Sequence, residues 1–415
     1  MEYRPRVADG ELTDRLRRAG AVVIEGAKWC GKTQTALRAS ASVLHVDTDP
    51  TVDALMQIDP GVLLEGDTPR LLDEWQWQPK LWDHVRHAVD DRQTPGQFIL
   101  TGSATPDDTV RKHSGAGRFS VMRMRPMSLW ESGQSSAEVS WRDVRHGGQV
   151  RAPAVGHSLR QTAETIVRGG WPATLDLGLD DAQAYVADYL DLLAQADLSR
   201  VAGARRDPGR VRRLLASLAR NTATVVSVST LVADVGEAGG TLGRETATAY
   251  LDALERLMIV EDQPAWSTAL RDSATLRQSP KRHLVCPSLA AAAMGATVDK
   301  LVREPKTLGS LFESQVVRDL RVYAAPDRGV VYHYRDSRDR EIDAIVQYPD
   351  GWVGVEIKLG VGAVDAAASD LLRVVSAIDT QTVGRPDALV VVTADGPAYR
   401  RPDGVAVVPL DALRP

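Results

Sequence analysis

The residues most able to do chemistry form a glycine-rich stretch near the start of the chain. They read GAKWCGKT and match the pattern G-x-x-x-x-G-K-[ST], with an apolar run, AVVIEG, before them and a helical segment after them. Backbone N–H groups of such a loop surround phosphate oxygens, its lysine reaches the β- and γ-phosphates, and its hydroxyl ligates Mg²⁺. The stretch therefore predicts a Mg-ATP site. Its contacts would be Gly26, Ala27, Lys28, Trp29, Cys30, Gly31, Lys32 and Thr33.

An acidic pair ends another apolar run about forty residues further on. The segment RLLDEWQ contains Asp73 and Glu74. We expect Asp73 to hold the metal through water and Glu74 to polarise the attacking water, which is the task of a general base. An acidic pair after two leucines is also a common solvated helix start. Its position at a strand end beyond a phosphate-binding loop favours the catalytic interpretation.

Two further elements add candidates to the ATP site. The next apolar run ends in LTGS, where Thr101 and Ser103 are predicted to sense the γ-phosphate through a hydroxyl; the alternative is a polar turn between strand and helix. Arg118 precedes the fifth run, where it is a candidate arginine finger that enters the site of a neighbouring subunit. Such a role implies a homo-oligomer, whereas the alternative for Arg118 is an ordinary surface residue.

Short apolar runs alternate with amphipathic segments over the first 130 or so residues, as in a parallel sheet with crossover helices. The runs are AVVIEG, VLHVD, RLLDEW, QFILTGS and FSVMRMRP. They predict a five-stranded, doubly wound α/β sheet that places the loop and the acidic pair at one edge. Trp75, Trp77 and Trp82 lie near this edge and are predicted to pack against the core rather than stack on bases.

The composition is that of a folded chain with several domains. Its 415 residues exceed what one core usually organises, and 43% are apolar while 25% are charged. The net charge of −5 argues against wholesale wrapping by nucleic acid. Cys30 and Cys286 form no metal-binding or disulfide pattern, which indicates a reducing compartment. Without a signal-peptide pattern or a run of about 18 apolar residues, we expect a cytoplasmic protein with no membrane span.

Changes of pattern predict four domains. Residues 1–150 contain the nucleotide-binding sheet, and residues 151–220 show helical periodicity typical of a lid or linker. Residues 221–305 contain a short strand at VSVS, a helix, a glycine-rich turn, a longer helix and a β-prone run, an order that suggests a winged helix. In residues 306–415 a helix, three strands, a helix and a strand follow one another.

The winged-helix segment has two interpretations. Arg244, Thr246 and Tyr250 on its longer helix are candidates for contacts in a DNA groove, with phosphate contacts positioning the helix. The same helix carries carboxylates that phosphates would repel: Glu245, Asp252 and Glu255. A protein-interaction role is the alternative.

A second set of chemical residues lies in the last domain. Asp343 is on one predicted strand and Glu356 and Lys358 are on the next, which gives D-x12-E-x-K; alternation places Glu356 and Lys358 on one face. Two carboxylates from adjacent strands can ligate Mg²⁺ and a lysine can activate water, so the set suits phosphodiester hydrolysis. Glu313 on the preceding helix is a candidate third ligand. In the alternative, the fold is a scaffold whose carboxylates pair with Arg338 or Arg340.

These residues together resemble a prokaryotic family of AAA-type P-loop ATPases with a C-terminal domain of unknown function. The similar blocks are GAKWCGKT, PRLLDEWQ, FILTGSATP, HSGAGR, RPMSLWESG, RGGWPA, LGSLFESQVVRDLRVYA and EIDAIVQYPDGWVGVEIKLG. The family's C-terminal domain is similar to PD-(D/E)xK nucleases, which implies a nuclease-like α/β domain at residues 306–415. One departure is Cys286, where relatives tend to have Asp.

Two functions from different classes follow. In the first, Mg-dependent ATP hydrolysis drives or licenses a C-terminal nuclease-like module acting on nucleic acid, which contacts the winged-helix and nuclease-like domains. In the second, the chain is a nucleotide-dependent switch or scaffold whose inactive nuclease-like domain binds proteins. A third interpretation, a P-loop kinase, is disfavoured because Glu74 and Arg118 suit water activation better.

Overall fold

The computed structural model describes residues 3–102, 115–154, 156–197, 207–237, 239, 242–267 and 278–415. Ser103, one of the two predicted γ-phosphate sensors, lies outside these residues. In the part of the chain that is described, no helix is long and apolar enough to cross a membrane.

The five predicted N-terminal strands form one parallel sheet, which confirms the α/β prediction for this part of the chain. The order across the sheet is β2-β3-β4-β1-β5. The strands are β1 Ala21–Glu25, β2 Ser42–His45, β3 Arg70–Asp73, β4 Phe98–Gly102 and β5 Phe119–Arg123. The helices beside them are α1 Val7–Leu16, α2 Lys32–Ala39, α3 Val52–Ile58 and α4 Leu81–Arg92.

Both faces of this sheet are buried, because helices cover each of them. Alternate residues of β1 enter different apolar clusters: Val22 and Ile24 pack on one side, Ala21 and Val23 on the other. The second cluster also contains two of the tryptophans near the ATP edge, and Trp82 stacks on a phenylalanine with ring centroids 4.0 Å apart. The predicted packing role is thus confirmed for Trp75 and Trp82, whereas Trp77 is 52% exposed.

Helices dominate the middle of the chain. They are α5 Trp141–Arg145, α6 Leu159–Arg168, α7 Leu179–Leu192, α8 Pro208–Arg220, α9 Val228–Glu237, α10 Arg244–Arg256, α11 Pro287–Ala293 and α12 Val298–Arg303. After α10, the stretch of residues 259–266 runs beside the stretch of residues 278–285, with isolated antiparallel bridges that join Val260 to Leu284 and Gln263 to Lys281. The first stretch also forms a parallel bridge between Ala265 and His333. We refer to these two stretches as the bridged segments.

Two predictions for the winged-helix region are corrected. The short strand expected at VSVS is reduced to one bridge at Val225, because α9 already begins at Val228. Tyr250 cannot reach a DNA groove, since it is 2% exposed and packs in the apolar core on the inner face of α10. Arg244, at the start of the same helix, is exposed.

The C-terminal region is a mixed sheet in the order β11-β12-β10-β9-β8-β7. Its strands are β7 Val330–Arg335, β8 Glu341–Gln347, β9 Trp352–Lys358, β10 Ala388–Thr393, β11 Tyr399–Arg400 and β12 Ala406–Pro409. Its helices are α13 Pro305–Ala324, α14 Val364–Val375 and α15 Thr380–Val383. The predicted order of a helix, three strands, a helix and a strand is present as α13, β7 to β9, α14 and β10.

The two sheets are joined by buried contacts rather than separated by a flexible connection. The short strands β6 (Val139–Ser140) and β13 (Leu413–Arg414) pair in parallel, so the end of the chain returns to the segment after the first sheet. The Leu129 N–H donates to the buried Asp319 carboxylate at 2.9 Å. One apolar cluster runs from Leu12 to Leu413. The N-terminal and C-terminal regions therefore share a core.

The remaining turns of helix are short. The 3₁₀ turns are Pro60–Leu64, Trp75–Trp77, Pro172–Thr174, Ala325–Asp327, Val361–Ala363 and Leu410–Ala412, and Leu193–Asp197 forms a π turn.

Candidate functional site

The glycine-rich loop connects β1 to α2 and depends on its glycines. Gly31 has a φ of +106°, a conformation that L residues with a side chain rarely adopt, and α2 begins at the next residue. Gly26 packs so closely that a Cβ there would lie 2.2 Å from the Met124 carbonyl oxygen. The loop is therefore held against the end of β5, with its backbone curled at the start of α2.

Lys32 lies inside this loop. Its Nζ donates to the carbonyl oxygens of Gly26, at 2.8 Å, and Ala27, at 2.9 Å, and the residue is 5% exposed. Because these partners are neutral carbonyl groups, the ammonium charge is available to an anion. A buried cation beside backbone N–H groups at a helix start fits a phosphate group. The residues present thus suit the predicted nucleotide.

The Asp73 carboxylate joins three strand ends and the loop. Thr33 Oγ1 donates to Asp73 Oδ1 at 2.9 Å, Thr101 Oγ1 donates to the same oxygen, and His45 Nδ1 lies 3.2 Å from Oδ2. Parallel register explains the meeting, since His45 and Thr101 are the partners of Asp73 on β2 and β4. Hydroxyl and carboxylate oxygens are the ligands that Mg²⁺ prefers. The structure therefore brings together Thr33, Asp73 and Thr101 as expected.

His45 is a residue that sequence reasoning missed. It is the last residue of β2, next to the strand that ends in Asp73. A polar residue at the carboxyl end of a neighbouring parallel strand was the signal that could have found it.

Glu74 follows Asp73 directly and turns away from the strand. It has a φ of +53° and a ψ of 42° and precedes the 3₁₀ turn Trp75–Trp77, and its carboxylate accepts a hydrogen bond from Gln76 Nε2. A non-glycine residue in the left-handed region is often maintained at a functional position. The left-handed backbone therefore directs the Glu74 side chain differently from that of Asp73, and the hydrogen bond from Gln76 holds the Glu74 carboxylate in place.

Arg118 directly precedes β5, so it lies at the end of the sheet where the strands begin, opposite to the loop. Its carbonyl oxygen accepts from the N–H of Ala21, the first residue of β1, whereas the loop follows the last residue of that strand. The guanidinium pairs with Asp90 of α4 at 2.7 Å, and this pairing raises the pKa of Arg118. Arg118 therefore cannot act at its own ATP site, and a finger role would require a second copy.

An arginine clamp behind the loop was not predicted. Arg6 donates from Nη1 to the Cys30 carbonyl oxygen at 2.9 Å and from Nη2 to the Arg125 carbonyl oxygen at 2.8 Å. Its Nε lies 3.0 Å from Glu131 Oε1, and both side chains are almost completely buried. Glu131 also accepts from the N–H groups of Val7 and Ser128. No local pattern links residues so far apart in the sequence, so only folding reveals the clamp.

The second polar cluster contains the C-terminal candidates and one residue that was not predicted. Lys358 Nζ lies 2.9 Å from Glu356 Oε2 and 3.3 Å from Asp343 Oδ2. Lys281, from the second bridged segment, places Nζ 2.7 Å from Glu313 Oε1 and 3.6 Å from Asp343 Oδ1. Carboxylates and ammonium groups thus alternate in a chain of five. We call these five residues the C-terminal cluster.

Burial and charge set the protonation of this cluster. Burial raises the pKa of Glu313 to about 7 and that of Glu356 to about 8, and the neighbouring charge of Asp343 adds to both shifts. Burial also opposes ionisation of Asp343, but the charges of Lys281 and Lys358 outweigh it and lower the Asp343 pKa. Asp343 is therefore the permanent anion of the cluster, held between two cations.

The metal role of Glu313, Asp343 and Glu356 stays a prediction, and among the residues that the structure describes no group of three or more His, Cys, Asp or Glu side chains is already arranged to hold a metal ion. One expectation for this cluster is corrected. Arg340, named as an alternative partner, pairs with Asp336, and the same carboxylate accepts from the backbone N–H of Arg338. Lysines, not arginines, neutralise the carboxylates.

Family models match three parts of the chain. A model described as an AAA domain matches residues 18–132. A domain of unknown function, DUF8612, matches residues 159–300, and another, DUF4143, matches residues 308–413.

Similar whole proteins carry no functional description. Uncharacterized proteins of Mycobacterium bovis and Mycobacterium tuberculosis are each 28% identical over 360 residues, which is 85% of this chain and 73% of theirs. Among solved structures, a Walker-type ATPase of Pyrococcus abyssi aligns with a TM-score of 0.42 and 11% identity, over 70% of this chain and 99% of that one.

The first sheet, its loop and the family match agree. The loop follows β1, the acidic pair follows β3, and the AAA model covers all five strands of this sheet. Residues 18–132 thus match an AAA domain and carry a P-loop on a five-stranded parallel sheet, which supports ATP binding. The resemblance to AAA-type ATPases is supported for these residues, whereas the nuclease-like interpretation of residues 306–415 stays a prediction.

Proposed function

We propose that the chain hydrolyses ATP at the P-loop and that this hydrolysis controls a C-terminal module acting on nucleic acid. The observation that carries the first half is the contact of Thr33 and Thr101 with Asp73, beside a buried Lys32. The same residues would hold ATP and Mg²⁺ without a change of fold.

The roles of the site residues follow from their chemistry. Lys32 exchanges its carbonyl partners for phosphate oxygens, and the loop N–H groups bind the remaining phosphate charge. Thr33 and Asp73 would hold Mg²⁺, which would supply positive charge beside the transferred phosphoryl group. Thr101 orients Asp73 and senses the γ-phosphate. Glu74 is the general base for the attacking water.

A chain of buried ion pairs supports coupling between the ATP site and the rest of the molecule. The Arg6 side chain links the P-loop carbonyl of Cys30 to the backbone of Arg125. The Arg125 guanidinium lies 2.6 Å from Glu261 on the first bridged segment, and Arg321 on α13 lies 3.5 Å from the same carboxylate. These contacts connect the P-loop to the bridged segments through buried side chains. A movement of the P-loop on nucleotide exchange is therefore transmitted to the bridged segments.

Phosphodiester hydrolysis is the chemistry that the C-terminal cluster suits best. Asp343 and Glu356 come from neighbouring strands, Glu313 from the helix packed on them, and Lys358 lies within hydrogen-bond distance of Glu356. Carboxylates in this order can hold Mg²⁺ while a lysine activates water. The exposed Arg244 at the start of α10 is a candidate phosphate contact for the same polymer.

Arg118 supports an oligomer in which each copy completes its neighbour's ATP site. Its position at the far end of the sheet excludes a role in its own site. In this proposal Arg118 leaves Asp90 and stabilises transition-state charge in the adjacent copy.

The decisive measurement is ATP turnover by the full chain alone and with DNA, RNA or candidate proteins, together with cleavage assays under Mg²⁺ and Mn²⁺. We expect nucleic acid to stimulate turnover. Cleavage should be lost in Asp343→Ala, whereas in Lys32→Ala, which loses ATP binding, cleavage should no longer respond to ATP. Absence of cleavage of any nucleic acid under both metals would sink the nuclease half and leave the ATPase half standing.

The second candidate function is a nucleotide-dependent switch whose C-terminal domain binds protein partners. The observation that favours it is the neutralisation of the C-terminal carboxylates by Lys281 and Lys358. Stimulation of turnover by a protein, and by neither DNA nor RNA, would select this function.

A further inference from the structure

Lys281 reaches the C-terminal cluster from outside the C-terminal sheet. It lies on the second bridged segment, where its N–H and carbonyl groups pair with Gln263 at 3.0 and 2.9 Å. Lys281 is 4% exposed. It precedes α13, the helix that carries Glu313, by more than twenty residues in the sequence. A buried lysine from a different element is thus directed between Glu313 and Asp343.

The position of Lys281 Nζ is that of a bridging cation. It lies 2.7 Å from Glu313 Oε1 and 3.6 Å from Asp343 Oδ1. Two carboxylate oxygens from different elements are what a hard divalent cation would join. The other oxygen of Asp343 is taken by Lys358 Nζ, at 3.3 Å, and by the Ile357 N–H, at 2.9 Å. With Lys281 in place, each oxygen of Asp343 faces an ammonium group, which repels a metal cation.

The two lysines differ in what holds them. Lys358 lies on β9, two residues from Glu356, so it moves only with the sheet. Lys281 is carried by the bridged segments, which contact both regions: Glu261 pairs with Arg125, and Gln263 donates to the carbonyl oxygens of Tyr332 and Asp343 in the C-terminal sheet. The Lys281 side chain ends a flexible four-carbon stem, so its ammonium group can leave the two carboxylates while the backbone stays in place.

We propose that Lys281 is a built-in cation that closes the site between Glu313 and Asp343 to Mg²⁺ or Mn²⁺, and that the metal binds when the Lys281 side chain leaves the two carboxylates. The inference rests on the proposed function, in which these carboxylates serve phosphodiester hydrolysis. It makes the C-terminal domain a gated metal site, closed in the present arrangement. Removing the lysine should therefore open the site without any movement.

The test is Mn²⁺ binding to the full chain without nucleotide, measured by calorimetry and by the loss of the free-ion paramagnetic resonance signal. Lys281→Met keeps the length of the side chain and removes its charge. We expect this variant to bind one Mn²⁺ at least about tenfold more tightly than the parent. Lys306→Met, an exposed lysine on the helix that carries Glu313, is the matched control and should bind as the parent does.

The double variant Lys281→Met with Asp343→Asn locates the new ion and subtracts any contribution of the ATP site. It should lose the added binding. Equal Mn²⁺ affinity in Lys281→Met and the parent would overturn the proposal, as would added binding that persists in the double variant.

A second measurement protects the test against a variant that does not fold. In the parent, acetylation of Lys281 by an amine reagent is followed by mass spectrometry as Mn²⁺ is added. If the ion displaces the lysine, modification of Lys281 should rise several-fold while that of Lys306 stays constant; unchanged modification at millimolar Mn²⁺ contradicts the proposal. Mn²⁺ binding without nucleic-acid cleavage would remove the proposed nuclease function and leave the gate in place.

Discussion

The ATP site and the C-terminal cluster use similar ingredients in opposite ways. In both, an aspartate on a strand meets polar side chains from neighbouring elements, and the site contains a lysine. The Asp73 carboxylate accepts hydrogen bonds from the neutral hydroxyls of Thr33 and Thr101. Lys32 donates instead to carbonyl oxygens of the P-loop. Asp343 is instead paired with two ammonium groups.

This difference decides what each region can accept. At the ATP site the charges of Lys32 and Asp73 are separated, so the site is completed by a ligand that brings both an anion and a cation. In the C-terminal cluster the cations are already present, so its charges are balanced within the protein. Separating a buried charge from its partner within the protein costs free energy, because the remaining charge is left uncompensated in the interior. A charge whose partner comes from solution does not have this cost. The first site is open to its ligand, and the second needs a structural change.

The largest expected effect is on ATP turnover, a reaction that distinguishes the ATP site from the C-terminal cluster. Glu74→Gln should lower ATP turnover about 100-fold or more and leave ATP binding unchanged, because it removes the general base and keeps the size of the side chain. Steady-state turnover and nucleotide affinity measure the two quantities. The same variant should leave Mn²⁺ binding at the C-terminal cluster untouched. Parental turnover in Glu74→Gln would refute the assignment of the base.

The next effect compares two aspartates through stability. Asp343→Asn should lower the free energy of unfolding by about 2 kcal/mol, because Lys281 and Lys358 lose the carboxylate between them and keep only Glu313 and Glu356 as partners in a buried cluster. Asp73→Asn is the matched variant, and its cost should be under about 1 kcal/mol because an amide oxygen still accepts from both hydroxyls. Chemical denaturation of both proteins checks the ranking. Equal losses would contradict the difference drawn between the regions.

The smallest effect is a pH dependence at the junction between the regions. His283, 2% exposed on the second bridged segment, has its pKa held well below 6.5 by burial and by the charges of Arg321 and Lys281. The unfolded chain then binds a proton that the folded chain does not, so stability falls as pH drops below about 6.5, by at most about 1.4 kcal/mol per pH unit.

The control for this prediction is a second histidine. The slope of the unfolding free energy between pH 7 and 5 should be shallower in His283→Gln than in the parent. His146→Gln changes an exposed histidine on the surface and should keep the parental slope. An identical slope in all three proteins would exclude His283 as the source.

Much of the ATP site was predictable because its information is local. The P-loop is a contiguous run of eight residues, and Asp73 and Glu74 follow directly from an apolar strand. Parallel strands end at one edge, so the meeting of Asp73 and Thr101 was implied once the strands were recognised. The five strands of the first sheet and β7 to β10 were predicted for the same reason: short apolar runs between turns are typical of buried strands.

What local pattern cannot contain is a partner from a distant element. Tyr250 is a different kind of error, because it shares a helix face with the buried Ala247 and Leu254, so helical periodicity already indicated the core. Lys281 stands in an ordinary polar stretch, and nothing near it in the sequence points to Glu313 or Asp343.

The sequence by itself determined the ATP-binding loop, its acidic partners and the order of strands, because backbone geometry and hydrophobic periodicity act over short distances. The tertiary structure alone decided that Arg6 clamps the loop and that Lys281 occupies the C-terminal cluster. Those contacts join residues whose proximity is set only when the domains pack on a common core. The physical reason is burial: a charged side chain enters the interior only where folding has already placed its counter-charge.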